Sequence, residues 1–135
     1  MKRLLLNLLL VLLFSAKAFS QADIYEELNG AFNASDQKNI AKYFNNKVEL
    51  TIIEQSNVYS KTQAEMVLRD FFVKYPPTSF QFKHKGSSGE GARFAIGFLN
   101  TRNGNFRIYF FMKQIDNVNY LQEMRFELDP SSSRN

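Results

Sequence analysis

One histidine, six tyrosines and no cysteine are what this 135-residue chain offers to acid–base, metal or nucleophilic chemistry. The lack of Cys excludes a disulfide framework, a thiolate metal centre, a Cys nucleophile and a lipid-anchoring Cys. His84 ends an alternating segment, Ser79 to Lys85, in which Phe80, Phe82 and His84 fall on one face. An imidazole at the mouth of an apolar pocket changes charge near neutral pH and can act as a general base. Against that role, no Asp or Glu of the later strands shares the face to orient the ring, and Lys83 and Lys85 flank it. A strand-end His partly in water is the plainer account, and one His without Cys makes no metal site. No cofactor is expected.

Three other patterns invite chemistry. Gly86-Ser87-Ser88-Gly89-Glu90-Gly91 has the look of a phosphate-cradling loop but lacks the Lys-Ser/Thr ending and opens a strand, so it reads as a hairpin loop. Asn33-Ala34-Ser35 matches a glycosylation acceptor, yet the adjoining Asp36 makes helix capping the better account. Lys83, Lys85, Arg93, Arg107, Lys113 and Arg125 fall on one sheet face by simple alternation and could hold an anionic partner, but Glu123 and Glu127 among them make cross-strand ion pairs the better account. The tyrosines suit the edges of an amphipathic core, and none stands out as a phenolic acid.

The elements that must position these residues are legible from periodicity. Asp23 to Phe32 is helical, with Ile24, Leu28, Ala31 and Phe32 on one side and acidic residues in the first turn. After a break capped near Asp36, Ile40, Ala41 and Phe44 predict a short second helix. Val48, Leu50 and Ile52 alternate as a strand, turned at Gln55-Ser56-Asn57 into a short strand at Val58 to Ser60. Thr62 and Glu65 have the spacing of a capping box for a third helix, which Pro76-Pro77 stops. Ser79 to Lys85, Arg93 to Leu99, Phe106 to Ile115 and Tyr120 to Leu128 then alternate as a four-stranded meander with turns at Asn103-Gly104 and Asp116-Asn117.

At the N terminus, Lys2-Arg3, the apolar run Leu4 to Phe14 and the small-residue stretch Ser15 to Ser20 have the three parts of a secretory signal peptide. The run is shorter than the roughly 20 apolar residues that span a bilayer. The expected organisation is a signal peptide over residues 1–20, one domain over 21–129 and a disordered polar tail over 130–135. Export to the periplasm or beyond follows, with no membrane span after cleavage. Loss of the signal removes Lys2, Arg3 and Lys17, taking the formal charge from +4 to +1. A nucleic-acid partner is not expected from that balance.

By alternation, one sheet face collects Phe80, Phe82, Phe94, Ile96, Phe98, Phe106, Ile108, Phe110, Met112, Met124, Phe126 and Leu128, and only the amphipathic helices are available to cover it. The class is therefore α+β, a bent antiparallel sheet of about six strands on three helices in the order α-α-β-β-α-β-β-β-β. A pocket between sheet and helices would be bounded by Tyr25, Phe82, His84, Phe94, Met112 and Met124 and would take an apolar ligand with one polar end. On the other face Leu99, Tyr109, Phe111 and Leu121 predict an apolar patch for a partner, most simply a homodimer.

This element order, with a third helix that begins at a cap and ends at Pro, resembles the nuclear-transport-factor-2-like (cystatin-like) fold over nearly all of residues 22 to 129. Ser35-Asp36 with Ile40-Ala41 and Tyr43-Phe44, Tyr59-Ser60-Lys61 with Gln63-Ala64, and Val67-Leu68 with Asp70-Phe71-Phe72 are similar to an uncharacterised family of small exported bacterial proteins, a domain of unknown function within that superfamily. The resemblance implies a cone of bent sheet wrapped on helices. The superfamily hosts isomerases, dehydratases and binding or association modules, and its enzymes place Asp, His or Tyr inside the cone. This chain departs from the enzymes by having almost no ionisable group on the face predicted to line the cone. The expectation is thus a non-catalytic exported domain acting as a ligand-binding or protein-association module, with a cofactor-free isomerase or dehydratase using His84, or an inhibitor or immunity-type partner, as the alternatives.

Overall fold

In the computed structural model, Asp23 starts the first helix by accepting a hydrogen bond on its carboxylate from the Tyr25 N–H at 3.1 Å. The structure describes Lys2, Arg3 and residues 23–133, so the expected signal peptide lies almost wholly outside the described residues. Helix α1 (Ile24–Asn33) buries Ile24, Leu28, Ala31 and Phe32, the side its periodicity predicts. Asp36 caps the five-residue α2 (Gln37–Ala41), which buries Ile40 and Ala41. Phe44, expected on that helix, instead opens β1 (Phe44–Ile52).

Between β1 and β2 (Gln55–Ser60) the chain turns at Ile53 and Glu54, not at Gln55 to Asn57. Ile53 adopts a left-handed φ of 61°, which a β-branched residue resists. Its N–H donates to the Phe126 carbonyl at 2.8 Å and its side chain packs on the core, so tertiary contacts override the local turn preference. Helix α3 (Lys61–Lys74) is opened by a reciprocal box of Ser60 and Gln63, both bonds 3.2 Å, rather than by Thr62 and Glu65. The earlier pair prevails because β2 delivers Ser60 in the extended conformation a cap requires, φ −67° and ψ 161°.

Strands β3 (Pro77–Ser87), β4 (Ala92–Thr101), β5 (Gly104–Ile115) and β6 (Val118–Leu128) form the meander, followed by one 3₁₀ turn at Pro130–Ser133 in the tail expected to be disordered. The six strands lie in the order β2-β1-β6-β5-β4-β3. Four of the neighbouring pairs are antiparallel; β1 and β6 run parallel, against the expectation of a wholly antiparallel sheet. The cause is topological: α3 carries the chain from the β2 margin to the β3 margin, and the meander returns to β1 from the far side. Asp116 and Asn117, both at positive φ, make the tight β5–β6 turn the sequence predicts.

The helices cover one face. Phe32 of α1 is its hub, stacked on Phe80 at 4.6 Å between ring centroids and edge-on to Phe72 and Phe110 at 6.0 and 5.7 Å. From α3, Phe71 reaches Phe126 and Phe106 at 4.7 and 5.1 Å. At the end of α1, the Asn33 side chain donates to the Asn29 and Phe80 carbonyls and accepts from the Phe80 N–H at 3.0 Å.

Simple alternation misplaces three stretches. In β4 the small residues Ala95 and Gly97 face the helices together with Leu99, while Phe94, Ile96 and Phe98 face away. The reason is space: a Cβ on Gly97 would lie 2.4 Å from Phe80 Cζ and 3.4 Å from Phe110 Cε2, so rings from neighbouring strands fill the volume that β4 leaves open. In β3 a register shift between Phe82 and His84 flips the parity, turning His84 outward opposite Ile96 and Lys85 inward opposite Ala95. In β6 a second shift pairs Phe111 with Glu123 but Met112 with Leu121, bringing Leu121 into the core.

Candidate functional site

The six residues predicted to bound a pocket do not come together. Tyr25 and Phe82 do meet, edge to face at 5.2 Å. Met112 and Met124 are fully buried, Phe94 stands on the opposite face beside Phe111 and Tyr109, and His84 is exposed on that same outer face. The space between sheet and helices is filled by Phe32, Phe44, Phe106, Phe110 and Phe126, each at most 1% exposed. Thr101 is the one buried polar residue among those described, and its hydroxyl is engaged with the Gly104 carbonyl and the Asn103 N–H.

What remains open is the mouth of the cone, where the start of α1 meets the ends of β3 and β4. A shallow, open cleft of about 330 Å³ is lined by Tyr25, Lys85, Gly86, Ser87 and Arg93. Lys85 Nζ lies over the Tyr25 ring at 4.4 Å from its centroid and 5.8 Å from that of Phe82. Arg93 sits opposite Met112 on the helix side of the sheet and opposite Ser87 across β3. Burial pushes the Tyr25 phenol above its ordinary pKa; Arg93 pulls it down and Asp23 pushes it up. Alternation assigned Lys85 and Arg93 to the outer face. The run Lys83-His84-Lys85 contains no apolar residue to fix the register, so the bulge that turns Lys85 inward leaves no signal in the pattern.

The outer, helix-free face carries the second candidate. Leu99 and Leu121, two of the four residues predicted to meet a partner there, are fully buried on the helix side. Tyr109 and Phe111 are outside as predicted, joined by Phe94, whose ring lies 5.2 Å from Phe111 and 6.2 Å from Tyr109. Ile96 and Phe98 extend the patch along β4, all five residues being half-buried. Ion pairs flank it: Arg107–Glu127 across β5 and β6 at 3.0 Å, of the cross-strand kind expected, and Arg125–Glu123 within β6 at 3.0 Å. Arg125 also lies 5.6 Å from the Tyr109 ring centre. Burial, then Glu123, raise the Tyr109 pKa above its ordinary value, and Arg125 opposes them.

Two further concavities are surface grooves. One of about 390 Å³ lies between α1 and α2 and includes Glu26, Glu27 and Lys42; the other, about 250 Å³, runs between α3 and the β1–β2 turn beside Ile53, Tyr59 and Val67. The Gly-rich segment closes the β3–β4 hairpin, as expected. Among the described residues no cluster of His, Asp and Glu suits a metal ion, and no helix is long and apolar enough to cross a membrane.

Structural likeness agrees with the element order. The chain is similar to an uncharacterised protein with a cystatin-like fold from Caulobacter vibrioides, at 10% identity, TM-score 0.62 and coverage of 78% of this chain and 85% of that one. A protein named Rd1NTF2_05 matches at 12% identity and TM-score 0.61, covering 76% and 92%. These two likenesses bear on fold alone, which is an α+β cone of the nuclear-transport-factor-2-like and cystatin-like kind. No curated protein matches the chain. A DUF4783 family protein from Bacteroides uniformis is 31% identical, with a TM-score of 0.75 over 79% of this chain and 98% of that one. The family model described as Domain of unknown function (DUF4783) matches residues 25–127, and this chain belongs to that family.

Proposed function

We propose that the chain is an exported, non-catalytic association module whose helix-free sheet face receives a second copy of itself. The observation that carries this reading is the aromatic patch of Phe94, Tyr109 and Phe111, unroofed by any described helix and continued by Ile96 and Phe98. Contiguous apolar surface rimmed by charge is the usual character of a protein contact. Both signs of charge flank the patch in Arg107–Glu127 and Arg125–Glu123, so two copies related by a two-fold axis can set each Arg against a Glu. The interior supports the non-catalytic half, since aromatic and aliphatic side chains occupy the space where the superfamily's enzymes carry acid–base groups. His84 shares its cross-strand row with Ile96, Tyr109 and Arg125, none of which is a carboxylate that would orient an imidazole base. Export rests on the basic, apolar and small-residue sequence of residues 1–20.

Light scattering of the chain across a concentration series tests the association. A dimer is expected, and Phe111→Asp should turn it into a monomer with little change in melting temperature. A wild-type chain that stays monomeric at high micromolar concentration, or a Phe111→Asp variant that remains dimeric, would remove this reading.

A further inference from the structure

Of the cations that simple alternation groups on the outer face, Lys85 and Arg93 are the two found on the helix side, and they share the cleft at the cone mouth. Their surroundings differ from those of the outer arginines. Arg107 and Arg125 face Glu127 and Glu123 at 3.0 Å, whereas among the described residues neither Lys85 nor Arg93 has a carboxylate within ion-pair distance. Lys85 Nζ is instead held over the face of the Tyr25 ring, a contact that orients an ammonium without neutralising it. The rest of the lining is Tyr25, Gly86 and Ser87, so the cleft presents two cationic side chains and two hydroxyls. Two acidic residues of the first helix and its cap lie beside it. Asp23 turns its carboxylate back to cap the Tyr25 N–H at 3.1 Å, and Glu26 lines a neighbouring cleft that shares Tyr25 and Lys85 with this one.

We propose that this cleft binds the anionic end of a small ligand, a phosphoryl or carboxylate group gripped by Arg93 and Lys85 and seated against the Tyr25 hydroxyl and the Gly86-Ser87 segment. A planar guanidinium offers paired N–H donors to such an oxyanion, and a tethered ammonium supplies a second charge from another direction. The cleft is on the opposite side of the sheet from the aromatic patch, so this site does not depend on self-association.

The test is an amide NMR titration of the full chain with inorganic phosphate and, separately, with acetate, each against sodium chloride at matched ionic strength. Saturable shifts at Tyr25, Gly86, Ser87 and Arg93 are expected with at least one oxyanion and not with chloride. Phosphate acting alone would identify a phosphoryl ligand; acetate acting alone or more tightly would identify a carboxylate. Arg93→Gln and Lys85→Gln should each weaken that binding at least tenfold while the remaining spectrum keeps its dispersion, and Phe111→Asp should leave it unchanged. Linear, chloride-like shifts with both oxyanions, or undiminished binding in Arg93→Gln, would overturn the proposal.

Discussion

Phe110 and Phe111 are chain neighbours of one residue type, and the sheet sends them to opposite worlds. Phe110 is fully buried against Phe32, Phe80 and Phe82, while Phe111 lies half-exposed beside Phe94 with Glu123 opposite it on β6. The helix-covered face is dry and aromatic, and its packing requires a missing side chain at Gly97. The helix-free face sets aromatic rings among ion pairs, where part of each ring remains in water. Residue type alone therefore does not say which face a phenylalanine serves; local volume and strand register decide it.

Truncation gives the largest contrast. Phe110→Ala should cost about 4 kcal/mol of folding stability, the range for emptying an aromatic site in a close-packed core. Phe111→Ala should cost about 1 kcal/mol or less, because its site is already partly solvated. Urea denaturation at concentrations where the chain is monomeric measures both, and equal losses would dissolve the distinction between the faces. Next in size is Gly97→Val, expected to destabilise by about 3 kcal/mol, since the added branch must displace the Phe80 ring or the backbone. A simultaneous Phe80→Ala should return part of that loss relative to the sum of the two single changes. Were β4 facing the other way, valine at 97 would be tolerated in a strand and the melting temperature would hold.

The smallest effect concerns the two phenols. Tyr25 and Tyr109 both have raised pKa values in the folded chain, chiefly through burial. The stability attached to each is complete below the unfolded phenol's pKa of about 10 and is lost as pH rises through the higher folded value, so the melting temperature should fall on the alkaline side. Glu123→Gln should lower the Tyr109 titration midpoint seen by ultraviolet absorbance and leave Tyr25 where it is. A shift of both tyrosines, or of neither, would mean that Glu123 does not act locally on the outer face.

Much of the fold was legible because long amphipathic periods and strong stop signals leave little freedom. The buried side of α1, the Pro-terminated α3 and the Asp116-Asn117 turn all follow from residues within a few positions of one another. What was not legible is set by contacts distant in sequence. The inward face of β4 depends on Phe80, seventeen residues before Gly97, needing somewhere to put its ring. The inward turn of Lys85 depends on a bulge among polar residues, and that of Leu121 on the unpaired Gln122. Tyr25 and Phe82 do meet, because Phe82 keeps the alternation begun at Phe80 and lies ahead of the register shift that turns His84 outward. Arg93 was missed for the same reason that Leu99 was misassigned: the parity of β4 is a property of its neighbours.

Asn33 has a consequence for molecules in a crowd. Strand β3 is one margin of an open sheet, and a bare margin offers backbone donors and acceptors on which another molecule's strand can template itself. The Asn33 amide occupies the N–H and carbonyl of Phe80, behaving as a single counterfeit residue of a seventh strand that goes no further. It is a chain terminator in the polymer chemist's sense, a monofunctional end group that lets one partner bond form and stops propagation there.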